Sequence, residues 1–187
     1  MSYTVYYFSA CKSFWGRAIG IVLTLEEAGV DYEVLMPEEA PSGRFTYPLI
    51  KLDTGETIGQ VPAILNILGD RFSLSGKTEN EKIICQQMVL DMDDIFTGAQ
   101  SGHFLKNTER ADQWFDLLNQ RLAEHQFLVT DKPTVADFHA VFATEWVQKS
   151  YKVDAYDSFP HLARWWADIC DYTVVRKMKA SEIPMIP

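Results

Sequence analysis

Cysteine is scarce in this sequence. There are three residues, Cys11, Cys85 and Cys170, and no Cys-x-x-Cys pair among them. An odd count without paired spacing does not make a disulfide framework. Positive charge is also in short supply, with 17 Lys and Arg against 26 Asp and Glu and a net charge of −9. A nucleic-acid binder needs a basic face for the phosphate backbone, so that class is excluded. No stretch of about 20 apolar residues is present to span a membrane, and no basic-plus-apolar leader opens the chain. The four histidines, His103, His125, His139 and His161, show no metal-ligand spacing. No repeat or low-complexity tract interrupts the pattern. These absences predict a reduced, cytoplasmic protein with no membrane, nucleic acid or metal among its partners.

What is present is apolar and aromatic. Of 187 residues, 47% are hydrophobic and 13% aromatic, with five Trp, which suits one large domain or two small ones with an ample core. Tyr3 to Phe8 is a β-branched and aromatic run that reads as a buried strand. Phe14 to Ala28 carries Ile19, Val22, Leu23 and Leu25 at helical spacing and stops at Gly29; Tyr32 to Met36 reads as a second strand. Strand, helix and strand of these lengths predict a βαβ unit with parallel strands. Residues 37–46 read as a loop with two Pro and a Gly.

Tyr47 to Leu65, YPLIKLDTGETIGQVPAIL, is the stretch around which the rest is organised. Pro48 opens a short strand, Asp53-Thr54-Gly55 is a hairpin turn, and Glu56 to Ile58 pairs back. Gly59-Gln60-Val61-Pro62 then breaks into a helix that Gly69 is positioned to end. The N-terminus of that helix favours an anion. Beyond a linker at 71–78 the pattern is helical: Glu79 to Phe96, Ala111 to Phe127, a helix opened by Thr134-Val-Ala-Asp137 as a capping box, and one from Phe159 onward.

Pro48 through Leu65 resembles the glutathione-binding half of the cytosolic glutathione transferases. There a cis-Pro opens a hairpin, Asp-Gly turns it, and Gln-Ser starts a helix; Gln60 is present here, and Val61 stands where the Ser would be. The Thr134-x-x-Asp137 box is similar to one in the all-helical second domain of that family. The resemblance runs in order from about Tyr3 to Ala180. It implies a thioredoxin-like α/β domain over 1–71 and an all-α domain over 79–187.

For the site, the resemblance to the sigma, mu and pi classes implies that Tyr7 is the phenol that activates the glutathione thiolate. Strand alternation puts Val5 and Tyr7 on one face, with Tyr6 and Phe8 on the other. Arg17, after Gly16, matches an Arg that orders Tyr and ligand. Arg44, Tyr47, Pro48, Gln60 and Val61 fall at glutathione-binding positions, and Asp94 matches a carboxylate that crosses a homodimer interface to the glutathione amine. Asp93 and Asp94 are similar to an acidic pair of the sigma type. Phe14, Trp15, Phe96, His103 and Phe104 are placed as walls for a second, small electrophilic substrate. The implied function is a glutathione transferase with glutathione as co-substrate and no metal required. Two alternatives stay open: a catalytically weak binding or structural module on the same fold, and a thiol transferase using Cys11, with Ser9 in the same loop.

Overall fold

The computed structural model describes residues 2–8, 16–42, 46–103, 108–150 and 158–180, with the side chains of 108, 145–146 and 148–150 left aside. Phe14, Trp15, Arg44, Phe104, Cys11 and Ser9 lie outside the described residues.

Four strands form one mixed sheet in the order β2-β1-β3-β4. They are β1 (Ser2–Tyr6), β2 (Asp31–Leu35), β3 (Leu49–Lys51) and β4 (Thr57–Gly59). β1 and β2 are parallel with Val5 opposite Val34, while β3 runs antiparallel to β1 with Ile50 opposite Val5. A single 3-10 turn, Gly16–Ala18, leads into α1 (Ile19–Ala28), the crossover between the parallel strands. All seven residues from Ile19 to Leu25 are buried, as expected of a helix apolar on every side. The reason is its position: α1 packs on α2 (Val61–Arg71) and also on α5 (Val135–Ser150) of the helical half.

The remaining helices are α3 (Glu79–Gln100), α4 (Thr108–Glu124), α6 (Pro160–Asp171) and α7 (Thr173–Lys179). None of the described helices is long and apolar enough to cross a membrane. α3 begins with a reciprocal box: the Glu81 N–H donates to Thr78 Oγ1 at 3.1 Å, and the Thr78 N–H donates to Glu81 Oε2 at 2.8 Å.

The box at α5 reaches further. Asp137 is fully buried, and its two oxygens accept from the Thr134 N–H and hydroxyl (both 2.9 Å), the Leu128 N–H (2.8 Å) and the Trp165 indole N–H (2.8 Å). One carboxylate thus ties the start of α5 to the preceding loop and to α6.

Three expectations are corrected. Gly69 does not end α2, which runs on to Arg71. A Cβ at 69 would lie 2.8 Å from Ser75 Oγ and 3.1 Å from Val135 Cγ2, so the glycine serves a close approach instead of a stop. α4 stops at Glu124, short of Phe127. Phe127, Leu128 and Val129 are buried in the loop that Asp137 holds, so their apolar character reflects loop burial and not helix. Within 37–46 the chain makes a 3-10 turn at Pro37–Glu39.

Candidate functional site at the seam of the two halves

Tyr7 follows directly on β1, with its N–H donating to Leu35 O at 3.0 Å. Strand alternation carries its ring into the core beside Val5 and leaves Phe8 48% exposed. The phenol oxygen accepts the backbone N–H of Arg17 at 3.0 Å. That bond needs glycine at 16. Gly16 has φ +50, and a Cβ there would overlap the Tyr7 hydroxyl.

The Arg17 side chain leaves the α/β half and crosses to α3. Nη1 donates to Asp93 Oδ1 at 2.8 Å, Nη2 donates to Thr97 Oγ1 at 3.1 Å, and the guanidinium carbon stands 4.2 Å over the Phe96 ring. Asp93, Phe96 and Thr97 are three and four residues apart and so share one helix face. On the far side of Asp93 is His139 of α5, with Nε2 3.6 Å from Asp93 Oδ1. Burial alone would push the Asp93 carboxyl up, but the His139 ring and the Arg17 guanidinium outweigh it and hold the group below its ordinary value.

The opposite wall comes from the hairpin. The Tyr47–Pro48 peptide is cis, and the Tyr47 hydroxyl donates to Pro37 O at 3.0 Å. Gln60 sits at the N-cap of α2 with φ +70, and its side chain makes no capping hydrogen bond. A helix N-terminus capped in this way presents its first amide groups outward. Between the two walls lies a cleft of about 300 Å³ lined by Arg17, Thr46, Tyr47, Gln60, Val61, Pro62 and Asp93. A cation, a carboxylate, an amide side chain and an open helix N-terminus facing one space suit a small zwitterionic ligand with carboxylates.

Of the residues read from the sequence, Arg17, Tyr47, Gln60 and Val61 meet in this cleft; Pro48 is buried beside it and Tyr7 is joined to it through Arg17. Val61 is also a core residue, 3% exposed. Phe96 lies beneath the guanidinium, buried against Phe142 at 4.8 Å between ring centroids. His103 is exposed beyond the end of α3, and Asp94 is exposed on another face of that helix than Asp93. Cys85 is buried, which pushes its thiol up to about 11 and makes it a poor nucleophile. Among the described residues, no group of three or more His, Cys, Asp or Glu gathers as a metal would need.

The sequence reading did not place Asp93 in the cleft or His139 behind it. The usable signal for Asp93 was its spacing to Phe96 and Thr97. For His139 there was none, because its role follows from how α5 crosses α1 and α3.

Comparison with known proteins agrees with this fold. A sequence model of the glutathione S-transferase C-terminal domain matches residues 97–171. Glutathione S-transferase 3 of Gallus gallus is 26% identical over 94% of this chain and 84% of that protein. Among solved structures, the glutathione S-transferase of Ascaris lumbricoides superposes with a TM-score of 0.79 at 23% identity, covering all of both chains. A glutathione S-transferase of Caenorhabditis elegans gives 0.78 at 21% identity over 98% of this chain and 99% of that one.

Proposed function

We propose that the chain is a member of the glutathione S-transferase family and that it uses Tyr7 to activate the thiol of glutathione for attack on, or isomerisation of, a small apolar electrophile. The observation that carries the proposal is the 3.0 Å bond from the Arg17 N–H to the Tyr7 hydroxyl at the edge of the cleft. A phenol oxygen that accepts a backbone N–H has its O–H polarised and is held at a fixed position. Donation from that O–H to a sulfur stabilises the thiolate and lowers the thiol pKa.

Gln60 and the amide groups at the start of α2 are proposed to hold the γ-glutamyl end. The backbone at Tyr47 and Pro48 is proposed to hold the cysteinyl part, and Arg17 an anionic group, with Arg44 assigned to the same site by resemblance. The second substrate is proposed to enter against Phe14, Trp15, Phe96, His103 and Phe104. No metal takes part in this scheme.

A homodimer completes the proposal. Ile83 and Leu90 are 59% and 51% exposed on α3, and Asp94 lies four residues beyond Leu90. Steps of seven and eleven residues return to nearly the same direction on a helix, so the three form one stripe. An apolar stripe ending in a carboxylate is what a second copy is proposed to cover, with Asp94 reaching the partner's glutathione. A cytoplasmic location is part of the same reading.

The weakly catalytic alternative keeps one observation in its favour: Val61 offers the ligand no hydroxyl. Retention on immobilised glutathione, followed by turnover of a generic aromatic electrophile by wild type and Tyr7→Phe, separates the readings. Retention with Tyr7-dependent turnover supports the enzyme; retention with no turnover supports the binding module.

A further inference from the structure

His139 is 2% exposed, and neither of its ring nitrogens has a hydrogen-bond partner among the described residues. An unsatisfied buried imidazole is costly and is not explained by packing alone. It is held tightly in place: a Cβ on Gly20 would lie 2.9 Å from His139 Cα, so α1 and α5 cross with nothing between them. The ring cannot swing far, and Nε2 stops 3.6 Å from Asp93 Oδ1, just beyond hydrogen-bond range. The same oxygen holds Arg17 at 2.8 Å.

The other charged groups around the imidazole are accounted for. From α3 it faces Asp93, with Arg17 behind that carboxyl, and from α1 it meets the Gly20 backbone. Asp137, two residues back on α5, accepts hydrogen bonds from Thr134, Leu128 and Trp165. No ion pair reaches His139 from α2 or α6 among the described residues.

Arg17 and Asp93 both line the cleft, and the cation that an anionic ligand needs is paired with Asp93. A ligand carboxylate or thiolate that draws Arg17 toward itself leaves Asp93 as a partly buried anion without its partner, which is strongly unfavourable. One group stands close enough to replace Arg17. We propose that His139 is a positioning residue that takes over Asp93 when an anion of the bound tripeptide draws Arg17 away, the imidazole gaining one proton from solvent as it does so. The only covalent bond formed is the ring N–H made by that proton, which comes from solvent, and an N–H of the resulting imidazolium donates to Asp93 Oδ1. Histidine is the side chain suited to gaining and losing a proton. The identity of the anion rests on the glutathione reading above; the exchange of partners around Asp93 does not.

The test is calorimetry of glutathione binding at about pH 7 in two buffers of different ionisation heat, which counts protons taken up. Wild type is expected to take up a substantial fraction of one proton, His139→Gln none, and wild-type affinity to weaken as pH rises toward about 8 while the variant's stays flat. If His139→Gln does not fold, Asp93→Asn is measured in the same way and is expected to show no uptake. Equal uptake in wild type and either variant overturns the proposal.

A second arm needs no ligand. In Arg17→Gln only His139 remains for Asp93, so at about pH 6 His139→Gln is expected to lower Tm more in that background than in wild type, the two losses converging by about pH 8. Equal losses at the lower pH overturn the proposal. If no binding heat is seen at any pH, the glutathione reading falls and this cycle alone decides the role of His139.

Discussion

At the scale of single residues, Tyr7, Gly16, Gln60 and Val61 make separable predictions. Tyr7→Phe should lower kcat by about 10²- to 10³-fold, the usual loss for one stabilising donor, with little change in glutathione affinity. Gly16→Ala should lower kcat in the same direction without touching the phenol itself, because the methyl group displaces the hydroxyl it overlaps. Steady-state kinetics on the pair checks both; a Gly16→Ala enzyme with full turnover would detach the Arg17 bond from catalysis.

Gln60 has a left-handed φ of +70, a conformation that typically costs a non-glycine residue about 1–3 kcal/mol. Gln60→Gly should therefore raise the urea midpoint or leave it level while weakening glutathione. If affinity is unchanged, the strain is unrelated to the ligand. Val61→Ser should tighten glutathione by about tenfold through one added bond to a carboxylate. It should also destabilise the fold by about 1–2 kcal/mol, since Val61 is a core residue as well as a cleft wall.

Legibility differs sharply among these positions. The placement of Tyr7 and Gln60 could be read because local pattern fixes it: strand alternation aims one, and a break before a proline-led helix places the other, while the roles proposed for them come from the family resemblance. The strain at Gln60 and the dual role of Val61 could not be read, because both depend on how the hairpin sits against α2.

At the scale of elements, the joints that matter are the crossing of α1 over α5 and the loop before α5. Asp137 accepts from three different segments, and only its bond to Thr134 is visible as a capping motif. The Leu128 amide and the Trp165 indole come to it from nine residues before and 28 residues after, which no local pattern reveals. Asp137→Ala leaves several buried donors unpaired and should destabilise by about 3 kcal/mol or more, far beyond an ordinary cap loss of about 1 kcal/mol. Urea denaturation of Asp137→Ala beside Thr134→Ala tests the difference; equal losses would reduce Asp137 to a simple cap. The misreading of Gly69 has the same origin as the hidden part of Asp137. A glycine near a helix end looks like a stop, whereas here it admits Val135 from the neighbouring helix.

At the scale of the whole molecule, Arg17 is the side chain by which the α/β half grips the helical half beside the cleft. Asp93 is held below its ordinary carboxyl value of 3.8 in the folded state, so its contribution to stability is fully present above that value. As pH falls below 3.8, the unfolded chain takes up the proton first and the contribution is lost as pH passes through the lower folded value. Asp93→Asn should flatten that acid limb of the stability curve, and an unchanged limb would assign the acid sensitivity elsewhere. The two-part architecture was readable from element order, since βαβ, a hairpin and then uninterrupted helices admit few arrangements. The grip between the parts was not, because Arg17 and Asp93 are 76 residues apart and no local pattern pairs them.

The proposal on which the others depend is that Tyr7 activates a thiol held in this cleft. Its most direct test is the pH titration of the ultraviolet thiolate absorbance of glutathione bound to wild type and to Tyr7→Phe. Glutathione bound to the wild-type protein is expected to ionise at distinctly lower pH than free glutathione, and Tyr7→Phe to abolish most of that shift while still binding the tripeptide. A shift that is the same in both proteins, or bound glutathione that ionises as it does in free solution, would contradict it.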